Sequence, residues 1–147
     1  MSLSIREMRP RDYDEAEALW RASPGIGLSS SDSREGVARF LEANPGLSFV
    51  ARQDDRLVGV VLCGHDGRRG YITHLAVDRE ARGSGLGREL VGRCLEALRR
   101  DRIEKCHLFV FTDNVDARAF WKATGWTERV ELSLFSKSLD RGKDDGA

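Results

Sequence analysis

The segment from Ile72 to Arg99 constrains the fold of this chain most strongly, because it joins a strand pattern, a glycine-rich loop and a helix pattern. An apolar run ends at Val77, and the loop RGSGLG follows from Arg82 to Gly87. Beyond the loop, apolar residues recur with the spacing of one helix face, at Leu90, Val91, Cys94, Leu95 and Leu98. A strand, a glycine loop and a helix in this order present free backbone N–H groups at the helix N-terminus, where they bind anions and most often phosphate.

The spacing of the glycines separates three kinds of phosphate-binding loop. A P-loop is excluded because the pattern G-x-x-x-x-G-K-[ST] is absent. A dinucleotide-binding loop needs G-x-G-x-x-G, but Gly87 follows Gly85 after one residue instead of two, and Leu90 occupies the third position of the alternative register. The pattern that fits is Arg-x-x-Gly-x-Gly, formed by Arg82, Gly85 and Gly87.

This pattern resembles the acetyl-CoA signature of the GCN5-related N-acetyltransferase (GNAT) superfamily, which is (Arg/Gln)-x-x-Gly-x-(Gly/Ala). The sequence LAVDREAR, beginning at Leu75, is similar to the strand that precedes the signature in that family. A second segment, from Asn114 to Trp126, resembles the family pattern N-x-x-A-x-x-(F/L)-Y-x-x-x-G-F. The resemblance covers residues 3–138, is strongest over 72–91 and 114–126, and favours the small bacterial single-domain members.

The remaining periodicities predict the element order β-α-α-β-β-β-α-β-α-β, which is typical of that family. Strands are predicted over residues 3–8, 47–52, 57–63, 72–77 and 105–111, with one bent or two short strands over 126–137. A helix is predicted after Asp12, which is expected to cap it. Further helices are predicted from Asp32 or Ser33 to Asn44, after the glycine loop, and over 114–124. The resemblance implies an α/β (α+β) fold, with a central mixed, mostly antiparallel sheet of six to seven strands and about four flanking helices.

Composition limits the number of domains and the classes of partner. Residues 1–139 are expected to form one acetyltransferase domain, and the charged segment 140–147 a disordered tail. The 24 basic and 24 acidic residues balance, so no nucleic-acid partner is expected. No apolar run approaches the ~20 residues of a membrane span, so no membrane partner is expected either.

The cysteines indicate the cellular compartment. They are odd in number, lie in apolar runs and lack C-x-x-C spacing, at Cys63, Cys94 and Cys106. We therefore expect buried, reduced thiols in a cytoplasmic protein. The first residues contain no apolar segment of a secretory signal. No metal site is expected, and a homodimer is left open.

The resemblance also implies how the coenzyme is bound. The pantetheine arm would be hydrogen-bonded, as by an added strand, by the backbone of Leu75, Ala76 and Val77, and one of these N–H groups would polarise the thioester carbonyl. The pyrophosphate would be held by backbone amides of Arg82, Gly83, Ser84, Gly85, Leu86, Gly87 and Arg88. Asn114 would bond the pantetheine, and Phe120 and Trp121 would flank its thiol end. Asn114 is equally a good helix N-cap, and Phe120 a good core residue.

The chemistry implied by this coenzyme needs a proton acceptor, because a lysine-type amine is protonated at pH 7. The sequence departs from the family in two places. Thr73 stands where many members carry a carboxylate base, and Trp121 stands where many carry a tyrosine acid. A threonine hydroxyl cannot serve as the base, and an indole N–H does not titrate in this range.

Strand alternation favours Tyr71 as the replacement, since it places Tyr71 and Thr73 on one face and His74 on the opposite face. We therefore expect the proton to leave through water positioned by Tyr71 or a backbone carbonyl, or by the amine's own ionisation, so that kcat/KM rises with pH. The candidate catalytic residues are Tyr71, Thr73 and, through its backbone, Leu75. Two carboxylates near the second helix can bind a cationic acceptor, Asp32 and Glu35.

The sequence thus predicts an acetyl-CoA-dependent N-acetyltransferase that moves an acetyl group to a primary amine, of a small molecule or a protein, by direct transfer in a ternary complex. The alternative is a coenzyme-A-binding regulatory module with little or no transferase activity. The missing base and acid are the features that suggest this alternative.

Overall fold

The computed structural model describes residues 3–139. The chain forms two compact units, Met1–Phe109 and Val110–Ala147. The segment 140–147, expected to be a disordered tail, lies outside the described residues.

The first unit is built on a five-stranded sheet in the order β1-β2-β3-β4-β5. Its strands are β1 Leu3–Glu7, β2 Phe49–Gln53, β3 Arg56–His65, β4 Gly70–Val77 and β5 Cys106–His107. The first four strands pair antiparallel with their neighbours, and β5 pairs parallel with β4. This mixed, mostly antiparallel sheet confirms the predicted fold class, although it has five strands where six to seven were expected.

The described residues form four α-helices, as predicted. The first unit contains α1 Tyr13–Arg21, α2 Arg34–Ala43 and α3 Leu86–Arg100, and the second contains α4 Val115–Ala123. The N-terminus of α2 is capped by Ser33 Oγ, which accepts the N–H of Gly36 at 3.1 Å. A 3₁₀ turn, Ser30–Asp32, precedes this cap. These local signals explain why the helix boundaries could be predicted within a few residues.

The sheet of the first unit is covered on both faces. One face packs against α1 and α2 through a buried cluster that includes Trp20, Val37, Leu62 and Ala76. On the other face two glycines allow close approach of α3. A Cβ on Gly59 would lie 2.9 Å from Leu90, and one on Gly70 would lie 2.7 Å from Leu98.

Two strand predictions differ from the structure: one strand is shorter than predicted, and the other is absent from the described residues. The strand expected over 105–111 is reduced to β5, and the residues from 126 to 139 contain no strand. The apolar alternation of Val130, Leu132 and Leu134 is interrupted by a turn, in which the N–H of Leu132 donates to the carbonyl of Arg129 at 3.3 Å. Alternation signals a strand only where a neighbouring strand supplies hydrogen bonds, and among the described residues this segment has none.

A fully buried carboxylate ties the first two strands to the start of α1. Asp12 accepts hydrogen bonds from Arg6 at 2.6 and 3.0 Å, from Arg52 at 3.1 Å and from the N–H of Arg9 at 2.8 Å. The expected capping of α1 by Asp12 is wrong, because its side chain makes no cap bond to that helix. Burial alone would raise the pKa of Asp12, but the hydrogen bonds from Arg6, Arg9 and Arg52 outweigh it and hold the pKa below its ordinary value.

Candidate active site

The glycine loop presents a row of free backbone donors. After a 3₁₀ turn at Arg79–Ala81, Gly83 and Gly85 take left-handed φ angles of 81° and 84°, and α3 begins without a side-chain cap. Within the described residues, the N–H groups of 83–88 donate no hydrogen bond. The N–H of Arg82 already donates to the carbonyl of Arg79 at 3.3 Å. Free donors at the positive end of a helix dipole form a binding site for a phosphate or pyrophosphate.

Side-chain hydrogen bonds fix the N-terminal end of this loop. Asp78 accepts the N–H of Glu80 at 3.0 Å and pairs with Arg56 at 2.9 Å. These two contacts hold the pKa of Asp78 below its ordinary value. Arg82 Nε donates to the carbonyl of Val77 at 3.0 Å. The free N–H groups are therefore carried on a loop whose N-terminal end is fixed.

A surface pocket of about 340 Å³ adjoins the loop. Its walls come from the end of α1, at Leu19 and Ser23, and from the end of β4 and the turn that follows, at Val77, Arg79 and Arg82. Two guanidinium groups outnumber the one carboxylate in the lining, Asp78, so the pocket favours an anionic ligand. The pocket extends the anion site of the loop toward the strand.

The edge of β4 is open beside this loop. Strand β5 pairs with β4 only at Gly70 and Tyr71, so among the described residues the edge from Ile72 to Val77 has no strand partner. Unpaired backbone groups on a strand edge bind an extended ligand as an added strand does. The three residues predicted to bind the pantetheine lie on this open part, Leu75, Ala76 and Val77.

A β-bulge interrupts β4 on the same open part. Val60 pairs with Ala76 and Leu62 pairs with Thr73, so two residues of β4 lie opposite one residue of β3. One of them, His74, has a left-handed φ of 55°. For a residue other than glycine this conformation costs on the order of 1–3 kcal/mol and is concentrated at functional sites.

The bulge changes the face on which His74 lies. Strict alternation predicted that the His74 side chain lies on the opposite face of β4 from Thr73, and that prediction is wrong. Thr73 pairs with Leu62, which belongs to the core against α1 and α2. His74 faces the same layer, since its Nε2 lies 2.9 Å from Asp32 Oδ1 and its ring centroid lies 5.2 Å from that of Trp20. No glycine or proline lies at the bulge, between Thr73 and Ala76, so the sequence contained no local signal for it.

The comparison with protein families agrees with this geometry. A model of the acetyltransferase (GNAT) family matches residues 13–126, more than half of the chain. The chain belongs to the GNAT acetyltransferase family. Acetyl-coenzyme A is the co-substrate, and the free N–H groups of the loop and the open edge of β4 fit it.

Individual GNAT relatives cover most of the chain. An acetyltransferase of Photorhabdus laumondii is 30% identical over 142 residues, which is 93% of this chain and 96% of the relative. One of Pectobacterium atrosepticum is 31% identical over 112 residues, 76% of this chain and 79% of the relative. The fold is similar to that of the PaiA N-acetyltransferase of Thermoplasma acidophilum in complex with coenzyme A, with a TM-score of 0.77, 19% identity, and 86% and 91% of the two chains covered.

Tyr71 and Thr73, two of the three predicted catalytic residues of this GNAT chain, lie on one face of β4, and the catalytic role of all three, including the backbone of Leu75, stays a prediction. Tyr71 pairs with Gly64, where a Cβ would contact Phe40 and Asn44 of α2. Tyr71 therefore faces the α1–α2 layer, as Thr73 and His74 do. Its ring centroid lies 5.9 Å from that of His107.

Hydrogen bonds hold Asp32 beside His74. It accepts from the N–H of Ser29 at 2.9 Å as well as pairing with His74, and its carbonyl accepts from Tyr13 Oη at 2.6 Å. Burial alone would raise the pKa of Asp32, but the hydrogen bonds from His74 and Ser29 outweigh it and hold the pKa below its ordinary value. Glu35, the other predicted carboxylate, is exposed in the first turn of α2.

The second unit contains the other predicted coenzyme contacts. Asn114 Oδ1 accepts the N–H of Ala117 at 3.1 Å, which confirms its role as the N-cap of α4. Trp121 packs edge to face against Phe120, with ring centroids 4.9 Å apart, and against Trp126 at 5.2 Å. Their contacts with pantetheine stay a prediction.

We expect the variant Trp121→Phe to keep kcat within about tenfold of the wild-type value. The indole packs between two aromatic rings, and a thiolate, with a reference pKa of about 8.5, leaves without a dedicated proton donor. Steady-state kinetics with calorimetric acetyl-CoA affinity as the folding control tests this. A loss in kcat beyond about a hundredfold in a folded, binding-competent variant would show that the indole N–H takes part in the chemistry.

The three thiols are free, as expected, with Cys63 and Cys94 buried and Cys106 partly so. The hydrogen bond from Cys63 and burial raise the pKa of Cys94, and burial raises the pKa of Cys106 to about 12. Both groups are therefore protonated and unreactive at neutral pH. Within residues 3–139, no three His, Cys, Asp or Glu side chains gather as metal ligands, and no helix is long and apolar enough to cross a membrane.

Proposed function

We propose that this GNAT chain is an N-acetyltransferase that moves the acetyl group of acetyl-coenzyme A directly to a primary amine, of a small molecule or a protein, in a ternary complex. The observation that carries the proposal is the continuity of two binding surfaces. The open edge of β4, ending at Val77, leads into the loop whose N–H groups from Gly83 to Arg88 are free.

These surfaces divide the binding of the coenzyme between them. The backbone N–H groups of 83–88 hold the pyrophosphate, and the guanidinium groups of Arg79 and Arg82 add positive charge beside it. The backbone of Leu75 and its two successors holds the pantetheine arm and donates to the thioester oxygen. Bound acetyl-coenzyme A supplies an activated acetyl thioester. Asn114, Phe120 and Trp121 are proposed as further contacts with the arm.

The acceptor amine is proposed to bind on the face of β4 that carries Tyr71, Thr73 and His74. Asp32 and Glu35 lie at the start of α2 and supply negative charge for a cationic acceptor. Holding the amine beside the thioester raises its effective concentration, which contributes much of the rate enhancement in such transfers.

The experiment is thiol release from acetyl-coenzyme A in the presence of a panel of amines and N-terminal peptides. We expect release that depends on one class of amine, with mass spectrometry showing one added acetyl group that survives hydroxylamine, as an amide does. Coenzyme binding by calorimetry without thiol release for any amine would overturn the proposal in favour of a coenzyme-binding regulatory module. A hydroxylamine-labile product would show transfer to oxygen instead.

We also propose that residues 1–139 act as one acetyltransferase domain in the cytoplasm. The family match from residue 13 to residue 126 includes parts of both compact units, which supports a single functional domain. The three free cysteines support a reducing compartment.

A further inference from the structure

The face of β4 that we assign to the acceptor carries three polar side chains. Threonine and tyrosine hydroxyls are protonated at neutral pH and accept a proton poorly, whereas an imidazole is a base in the physiological range. The bulge places His74 on this face, although strand alternation would have placed it on the other. Its left-handed backbone is maintained by a hydrogen bond from Trp20 Nε1 to its carbonyl oxygen at 2.9 Å.

We propose that His74, oriented by Asp32, is the general base that takes a proton from the acceptor ammonium group. This inference rests on the proposed N-acetyltransferase function and adds to it the identity of the base. It replaces the water-mediated route through Tyr71 that the sequence favoured.

The hydrogen bonds of the imidazole leave one nitrogen available for this role. Nε2 is 2.9 Å from Asp32 Oδ1, and a carboxylate at this distance holds the proton on Nε2. Nδ1 then carries the lone pair. Within residues 3–139, every buried side-chain nitrogen and oxygen has a hydrogen-bond partner. Nδ1 has none there, so it is not buried and is accessible to solvent. The imidazole is therefore held by one nitrogen and open at the other.

The charged and titratable groups around the imidazole come from the 3₁₀ turn before α2, from α1, from β4 and from β5. Asp32 stands on the 3₁₀ turn before α2 and faces Nε2 directly. From α1, Tyr13 Oη donates to the backbone carbonyl oxygen of Asp32 and lies 3.3 Å from Glu17 Oε2. Tyr71 lies on β4 itself, beside the ring of His107 on β5. Arg34 adds a positive charge over the ring of Tyr13, 5.1 Å from its centroid, so the charge in direct contact with the imidazole is the Asp32 carboxylate, which favours binding of a cationic amine nearby.

The transfer balances with this single base. His74 Nδ1 accepts one proton from the ammonium group and passes it to water, leaving a neutral amine. The amine nitrogen bonds to the acetyl carbonyl carbon, and the carbon–sulfur bond breaks with its electron pair going to sulfur. The second nitrogen proton ends on sulfur, so the products are the amide, coenzyme A as a thiol and one released proton.

The chain contains a matched control for this pair. His65 Nε2 lies 3.0 Å from Asp101 Oδ2, at the end of β3 away from the loop and the open edge. The test variants are His74→Asn and Asp32→Ala, and the controls are His65→Asn and Asp101→Ala. Asparagine tolerates a left-handed φ better than most residues, so His74→Asn preserves the bulge.

We expect kcat/KM of the wild-type protein to rise with pH through one ionisation and then to level, because transfer needs the neutral form of the base. His74→Asn should lose about a hundredfold or more at pH 7, and its rate should keep rising toward the amine's own pKa. Asp32→Ala should show a smaller loss, and both controls should match the wild type. KM for acetyl-coenzyme A should not change in any variant.

A second readout needs no activity. Imidazole ¹⁵N shifts of the free protein should show one neutral tautomer for His74, with the proton on Nε2, and Asp32→Ala should lose that preference. If folded His74→Asn keeps the wild-type rate and pH profile, or if the proton resides on Nδ1, the assignment of the base is wrong while the transferase stands. If the wild-type protein transfers to no amine, the proposed function itself fails, and the base role with it.

Discussion

Replacing Asp12 with asparagine is expected to lower the free energy of unfolding at pH 7 by about 2–3 kcal/mol, because the buried carboxylate loses its charge-assisted hydrogen bonds to the partly exposed guanidinium groups of Arg6 and Arg52. The carboxylate is fully buried and accepts from Arg6, Arg9 and Arg52. Urea unfolding followed by circular dichroism measures this difference. The control is Asp14→Asn, since Asp14 is exposed and pairs with Arg34 on the surface, where such pairs contribute about 0–1 kcal/mol.

The loss of unfolding free energy caused by Asp12→Asn should also become smaller as the pH falls. The pKa of Asp12 is lower in the folded protein than in the unfolded chain, so ionisation stabilises the fold above the unfolded pKa. That contribution disappears as the pH falls through the folded pKa. The difference between wild type and variant should therefore be full at pH 7 and shrink in strongly acidic solution. An equal difference at both pH values would mean that the carboxylate is not ionised in the fold.

The parts of the site that could be predicted from sequence depend on local geometry. The spacing of Arg82, Gly85 and Gly87 indicated the loop, and the left-handed φ of Gly85 is the conformation that such spacing requires. The N-cap at Asn114 and the glycine after α4, Gly125 with φ 99°, follow from equally local signals. In each of these cases the residue type and its immediate neighbours determine the conformation.

The parts that could not be predicted depend on pairing between distant segments. The bulge at His74 is a property of the register between β3 and β4, and its contacts come from residues 42 and 54 positions away, Asp32 and Trp20. Asp12 was interpreted as a cap because its partner Arg52 lies 40 residues further along the chain. The apolar residues over 126–137 do alternate, but this segment has no strand partner in the described residues.

Replacing Gly85 with valine is expected to weaken acetyl-coenzyme A binding by more than about tenfold, equivalent to roughly 1.4 kcal/mol. Gly85 has a φ of 84°, which a β-branched residue adopts only with strain, so the loop must shift or remain strained. Either outcome moves the free N–H groups that precede and begin α3. Within residues 3–139, and apart from the chain neighbours of Gly85, no atom lies within 4 Å of an added Cβ, so the valine would project into space open to the ligand.

The control for this variant is Gly67→Val, because Gly67 also has a left-handed φ, 89°, and open space around an added Cβ. It lies in the turn between β3 and β4, away from the glycine loop, so it carries the same backbone strain without a phosphate nearby. Isothermal titration calorimetry of both variants separates the two effects. If both lose affinity equally, general strain explains the loss. If folded Gly85→Val binds as tightly as the wild type, the pyrophosphate is not held by this loop, and the free donors of 83–88 serve another purpose.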